Sequence, residues 1–174
     1  LDEQITDWFV LTDDQRPGTD EQRRWVGIAL NTPDFAFLEG PPGSGKTTAI
    51  CELVIQLALR GKRILLCAST HVAVDNVLER LMDEGNEHRD SILPIRIGDS
   101  SSVSQKAKPW QLEEFVNTER TRLLNLLRNT KVLSNSRKEL FEQLRDGRQT
   151  IQKMVLESAN LVCGTTIGIL QHPD

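Results

Sequence analysis

Residues 40–48 (GPPGSGKTT) constrain the fold of this chain more than any other stretch. They match G-x-x-x-x-G-K-[ST], in which glycines let the backbone approach a polyphosphate and turn its N–H groups toward it. Lys46 supplies a positive charge for the β- and γ-phosphates, and the Thr47 hydroxyl suits Mg²⁺. The predicted phosphate-binding residues are Gly40, Pro41, Pro42, Gly43, Ser44, Gly45, Lys46, Thr47 and Thr48. We therefore expect a nucleoside triphosphate site.

The residues on both sides of this loop fit the structural context that the motif needs. Residues 35–38 (FAFL) form a short apolar run that predicts a buried strand. Residues 49–60 (AICELVIQLALR) favour a helix, and Gly61 is typical of its end. Strand, loop and helix in this order indicate an α/β fold.

Composition sets limits on the class of protein. The 174 residues suffice for one domain, and no apolar run approaches the 18 residues that a membrane-spanning helix needs. The net charge of −4 argues neither for nor against binding of nucleic acid. The three cysteines, Cys51, Cys67 and Cys163, all lie in apolar runs and have no C-x-x-C spacing. An odd number without metal-site spacing predicts reduced core thiols in a cytoplasmic protein without a membrane span.

Gln22 lies eighteen residues before Gly40 and has two possible roles. Residues 19–22 (TDEQ) have the form of a capping box, with Thr19 as the N-cap of a helix that runs to about Leu30. A glutamine amide can also pair with adenine, accepting from the N6 amine and donating to N7. Two interpretations stay open: Gln22 is a helix cap only, or it reads adenine and also caps the helix.

Two further buried strands are expected at residues 63–68 (RILLCA) and 159–163 (ANLVC), and residues 92–97 (ILPIRI) form a plausible strand. Small polar residues follow the first two, namely Thr70, His71, Thr165 and Thr166. Ligands of open α/β sheets bind at the carboxyl ends of the strands, but the same residue types also cap helices. Residues 72–81 are amphipathic and predict a helix after the first of these strands.

Residues 111–157 predict long helix, because apolar residues recur seven positions apart. We expect two antiparallel helices with a break near residues 129–136 or at Gly147. A hairpin that packs on its own domain is favoured over a dimerising coiled coil.

Taken together, these motifs resemble those of superfamily 1 helicases. Gln22, GPPGSGKTT at residues 40–48 and STHVAVDNVLERL at residues 69–81 look like the Q motif, motif I and motif Ia of that family. The likeness is to the branch that contains the nonsense-mediated decay RNA helicase and the Dna2-like nuclease-helicases. It covers residues 19–82 well, and residues 164–168 (GTTIG) resemble motif Ic.

The resemblance implies a P-loop, RecA-like three-layer α/β sandwich that is incomplete and carries a long inserted helical hairpin. The expected parts are an N-terminal extension (residues 1–18), the first part of the core (19–82), an insertion with a helical stalk (83–158) and a return to the core (159–174). ATP and Mg²⁺ are the implied cofactors. Lys46 and Thr47 would be catalytic, Gln22 would read adenine, and Thr70, His71, Thr165 and Thr166 would face nucleic acid.

The implied activity is ATP-driven translocation along single-stranded DNA or RNA, with a second RecA-like domain as partner. No strand ending in Asp-Glu follows residue 163, so we expect the chain by itself to be inactive in hydrolysis. Two alternatives stay open. One is another P-loop enzyme such as a kinase, and the other is a non-catalytic, nucleotide-gated interaction module.

Overall fold

The computed structural model describes residues 4–129 and 147–172. The chain divides into two compact units, which we describe separately. The first comprises Leu1–Ile64 and Asn76–Ile92, and the second comprises Leu65–Asp75 and Leu93–Asp174.

Two helices on either side of the phosphate loop form the centre of the first unit. Helix α1 (Thr19–Asn31) packs against α2 (Lys46–Leu59). α2 buries an apolar face that includes Val54 and Ile55, and α1 buries Val26. The helix predicted after the loop is thereby confirmed. It forms there because apolar residues recur with helical spacing and can be buried on one face.

Helix α1 does not begin as its sequence predicts. Gly18 is the N-cap residue, with φ of 88°, and no side chain caps the helix. Thr19 is instead the first helical residue and is buried, and the Gln22 N–H bonds to Gly18 O at 3.1 Å. The predicted capping box is wrong because glycine adopts the left-handed conformation that this turn requires.

A small sheet forms the centre of the second unit. Its strands β1 (Ile64–Ala68), β2 (Pro94–Ile97) and β3 (Leu161–Thr165) have the order β1-β3-β2. β2 and β3 are parallel, with Pro94 opposite Leu161. Helix α3 (His71–Leu81) follows β1, and the short helix α6 (Thr166–Leu170) follows β3.

Two predictions about strands are corrected by the structure. Residues 35–38 do not form a strand, and Phe35 and Phe37 are 71% and 85% exposed. A strand needs a hydrogen-bonded neighbour, and this segment is not part of the sheet of β1, β3 and β2. β1 forms where predicted but is only half-buried, because Leu65 and Cys67 point away from the core.

Helices α4 (Leu112–Asn129) and α5 (Arg148–Ser158) pack against each other and on the strands. The shared core cluster consists of Ile95, Ile97, Leu112, Val116, Ile151 and Ala159. α5 begins after Gly147, one of the two predicted break positions. The other break falls mainly in residues 130–146, outside the described residues, so the inserted hairpin stays a prediction. The architecture is α/β with a small parallel sheet, consistent with a partial RecA-like fold.

Candidate functional site

The phosphate loop has the backbone conformation that an anion-binding nest requires. Gly43 and Gly45 take φ of 81° and 84°, values that residues with a side chain rarely adopt. Gly45 is the N-cap of α2, so the first N–H groups of the helix open onto the loop. Pro41, Pro42 and Gly43 are exposed, while Gly40 and the residues from Ser44 to Thr48 are half-buried. This conformation fits a polyphosphate.

The ammonium group of Lys46 lies at the Gly40 end of the loop. Its Nζ donates to the carbonyl oxygens of Gly40 and of Pro41, the latter at 2.9 Å. A phosphate oxygen is a stronger partner for an ammonium group than a neutral carbonyl, because the hydrogen bond is then charge-assisted on both sides. Lys46 is therefore placed to exchange loop carbonyls for phosphate.

Thr47 lies in the first turn of α2, next to Lys46. Among the described residues, no group of three His, Cys, Asp or Glu side chains could hold a metal ion. The Thr47 hydroxyl is an oxygen ligand of the kind that hard cations prefer.

Gln22 contacts the phosphate loop and not the end of its own helix. Its side chain is 5% exposed, and Nε2 donates to Ser44 O at 2.6 Å. Its Oε1 is buried and has no hydrogen-bond partner within the described part of the chain. A buried acceptor without a donor is costly, so this position suits a ligand that brings an N–H group. The structure therefore contradicts capping by Gln22, and the reading of adenine by Gln22 stays a prediction.

The sequence reasoning missed Glu52, which is fully buried on α2. Its Oε2 accepts the backbone N–H groups of Phe9, Val10 and Leu11 at 3.0, 2.7 and 3.1 Å. Gln56, one turn later, donates from Nε2 to Glu52 Oε1 at 2.8 Å and to Asp7 O at 2.7 Å. A carboxylate satisfied by several N–H donors can be buried at tolerable cost. The available signal was two polar residues four positions apart within residues 49–59, which are otherwise apolar.

In the second unit, the four predicted nucleic-acid residues lie at the ends of neighbouring strands. Thr70 is exposed, and its Oγ1 accepts the Ala73 N–H at 3.3 Å. Thr165 is buried and caps α6 by accepting the Gly168 N–H at 3.1 Å. Thr166 is exposed, and its Oγ1 donates to Ala68 O at 3.4 Å, which joins the ends of β3 and β1. Thr70 and Thr165 thus both have the capping role that the sequence left open.

His71, the first residue of α3, is held by a buried arginine that the sequence reasoning also missed. Arg96 on β2 is 0% exposed, and its Nη2 lies 3.1 Å from His71 Nδ1. Arg96 Nε donates to Asp75 Oδ1 at 2.6 Å, and Asp75 Oδ2 accepts the Ser104 N–H at 2.8 Å. A guanidinium only donates, so Nδ1 accepts and the ring proton lies on Nε2. The signal was an arginine within the apolar run of residues 92–97.

The cysteines are free thiols, but they are not all in the core. Burial raises the pKa of Cys51 to about 11 and that of Cys163 to about 12, because an apolar environment disfavours the thiolate. Cys67 is exposed on β1, so the prediction of a core thiol is wrong at this position. Within residues 4–129 and 147–172, no helix has the length and apolar character needed to cross a membrane.

Comparison with known proteins shows the family of the chain. Residues 18–129, well over half of the chain, match a family described as an AAA domain. DNA polymerase alpha-associated DNA helicase A of Schizosaccharomyces pombe is 28% identical over 153 residues, which are 84% of this chain and 23% of the relative. Regulator of nonsense transcripts 1 homolog of Drosophila melanogaster is 30% identical over 151 residues, 82% of this chain and 12% of the relative.

A third relative matches the first part of the chain more strongly. The DNA replication ATP-dependent helicase/nuclease DNA2 of Saccharomyces cerevisiae is 43% identical over 60 residues, 34% of this chain and 4% of the relative. The chain thus spans less than a quarter of the length of each of these three relatives. It belongs to this AAA-domain family, within the superfamily 1 helicase branch of the nonsense-mediated decay helicase and the Dna2-like helicases.

Proposed function

We propose that this chain is the ATP-binding part of an ATP-dependent helicase motor that translocates on single-stranded DNA or RNA. The observation that carries the proposal is the phosphate loop with Gln22 buried against it. Two glycines there take left-handed conformations at the start of α2. The helicases among its relatives support the motor assignment.

Within the nucleotide site, each residue has a role that its contacts support. The backbone N–H groups of residues 43–48 would surround the phosphates, and Lys46 Nζ would replace its bonds to loop carbonyls by bonds to phosphate oxygens. Gln22 Oε1 would accept a hydrogen bond from the adenine N6 amine. Thr47 would offer its hydroxyl to Mg²⁺, which neutralises phosphate charge when bound.

At the end of the sheet, Thr70, His71 and Thr166 would contact the nucleic-acid backbone. Hydroxyl groups and the His71 Nε2–H are donors suited to phosphate oxygens. Thr165, whose hydroxyl caps α6, would hold the turn that presents Thr166. Phosphate contacts carry no sequence information, which suits a motor that moves along any sequence.

Turnover by such a motor needs an activated water, metal ligands and a stabilising arginine together. We therefore propose a second RecA-like domain as the partner of this chain in hydrolysis. The free thiols are consistent with a reducing compartment, and we propose the cytoplasm.

Direct binding of ATP and of oligonucleotides tests the proposal. Calorimetry should detect ATP binding that Lys46→Ala weakens by about tenfold or more, the size of a charge-assisted bond. Lys62→Ala, which removes an exposed lysine from the same unit, is the matched control and should not change the affinity. Absence of ATP binding by the unaltered chain would contradict the proposal.

Single-stranded oligo(dT) and oligo(U) then test the second site. The unaltered chain should bind one of them in the presence of ATP, and His71→Ala with Thr166→Ala should weaken that binding. If the chain bound ATP but neither oligonucleotide, the result would favour the nucleotide-gated interaction module over the motor.

A further inference from the structure

The residues that precede α1 are fixed by both helices beside the phosphate loop. Glu52 of α2 binds three successive backbone N–H groups from Phe9 to Leu11. Arg23 of α1 donates from Nε and Nη2 to Leu11 O at 2.9 and 2.6 Å. An irregular segment that a buried carboxylate and a guanidinium hold at both its donors and its acceptors has a defined position.

Beyond Leu11 a turn brings Arg16 to the loop. The Gln15 N–H donates to Asp13 Oδ1 at 2.9 Å, and Arg16 O accepts the Thr19 N–H at 3.2 Å. A methyl group added at Gly45 would lie 2.7 Å from Arg16 Nη2 and 2.5 Å from Gln22 Nε2. The arginine head group therefore occupies the space that a side chain at Gly45 would need, beside the glutamine that we assign to the base.

The charge of Arg16 is not used elsewhere in the described part of the chain. Its side chain is exposed, and its guanidinium has no hydrogen bond or ion pair there. Arg23, by contrast, binds Asp14 at 2.6 Å and lies 5.2 Å from the centre of the Trp8 ring. A guanidinium stays charged at any physiological pH, and its planar fork matches phosphate oxygens.

We propose that Arg16 is a second cation of the nucleotide site and binds the α-phosphate. The inference rests on the proposed function and gives the N-terminal segment a role in nucleotide binding. Lys46 Nζ lies at Gly40 and Pro41, whereas Arg16 lies at Gly45 beside Gln22. The phosphate nearest to the base end is the α-phosphate, so the two cations divide the polyphosphate between them.

Calorimetric titration with ATP, ADP and inorganic tripolyphosphate tests this assignment. Arg16→Ala should weaken binding of all three by about tenfold, the size of one charge-assisted hydrogen bond. Arg16→Lys should recover part of the loss because the charge is kept and the fork is not. Arg24→Ala is the matched control, since it removes an exposed arginine from α1, and should bind like the unaltered chain.

The possible failures are distinguishable. Equal affinities for Arg16→Ala and the unaltered chain would overturn the inference and leave the proposed function intact. A loss with ATP and ADP but not with tripolyphosphate would place Arg16 at the base, against the phosphate assignment. If the unaltered chain bound none of the three probes, the proposed function would fall and the role of Arg16 with it.

Glu52→Gln tests whether the anchored segment acts through Arg16. The change keeps an acceptor but removes the charge that holds three N–H groups. It should weaken ATP binding in the unaltered background and have no further effect in the Arg16→Ala background. Equal losses in both backgrounds would show that Glu52 acts on α2 itself, and the anchoring role would be overturned.

Discussion

The buried ion pair between Arg96 and Asp75 is the interaction whose loss we expect to destabilise the second unit most. Arg96 is fully buried and binds Asp75 at 2.6 Å, and Asp75 also accepts the Ser104 N–H at 2.8 Å. Arg96→Met keeps an unbranched side chain of similar length but leaves the Asp75 carboxylate buried without a counter-charge. His71 loses the donor at its Nδ1 in the same variant.

The expected magnitude follows from the burial of both partners. A buried charge that loses its partner costs about 3–5 kcal/mol, a large share of the 5–15 kcal/mol by which domains are typically stable. With a urea slope of about 2 kcal/mol per M, the unfolding midpoint should fall by about 2 M. The double variant Arg96→Met/Asp75→Asn removes both charges and keeps an acceptor for Ser104. Its loss should be at least about 2 kcal/mol smaller than the sum of the single losses.

Urea unfolding followed by circular dichroism measures each step of this cycle. The matched control is Arg148→Met, whose ion pair with Glu113 is half-exposed and should be worth less than about 1 kcal/mol. A loss for Arg96→Met no larger than for Arg148→Met would refute the reasoning. So would additive losses in the double variant. If Arg96→Met does not fold and the double variant does, the recovery of folding itself shows that the charges of Arg96 and Asp75 are coupled.

Three further predictions concern Gln22 and the thiols. The Gln22→Ala variant should reduce the preference for ATP over GTP by about tenfold in competition binding. The reason is that Gln22 Oε1 has no partner within the described part of the chain and can accept from the adenine N6 amine, which guanine lacks. Equal binding of ATP and GTP by the unaltered chain would contradict this prediction. Iodoacetamide should modify Cys67 in the native chain but Cys51 and Cys163 only after unfolding, as peptide mass spectrometry would show; native labelling of all three would be the contrary result. Burial raises the pKa of Cys51 from 9.0 to about 11, so the Cys51 thiol ionises at lower pH in the unfolded chain, and the free energy of unfolding should fall between pH 9 and 11. The Cys51→Ala variant should make this fall less steep by up to about 1.4 kcal/mol per pH unit relative to the Cys67→Ala variant. Identical slopes in the two variants would argue against this reasoning.

The strand predictions show where sequence patterns stop being sufficient. The apolar runs around β1, β2 and β3 form strands because each finds a neighbour in the sheet. The run at residues 35–38 is as apolar, yet it has no place in that sheet and its phenylalanines are exposed. Hydrophobicity indicates that a segment can be a strand, but hydrogen-bonded pairing decides whether it is one.

Local chemistry is what the sequence by itself determined in this protein. Three features depend only on residues that are close together in the sequence, so they can be recognised without a structure. They are the glycines of residues 40–48, the apolar periodicity of α2 and α3, and the motif likeness at residues 69–81. The start of α1 was missed because two local signals, Thr19 and Gly18, compete there and the backbone conformation decides between them.

Only the tertiary structure decided which charges are buried and what they hold. Glu52 meets backbone groups more than forty positions away, and Arg96 meets Asp75 across twenty-one positions. In the sequence both resemble ordinary polar residues, since the cost of burying a charge is offset only by partners that the fold brings near. The same holds for Arg16, whose distance from Gly45 depends on the fold of the segment between them.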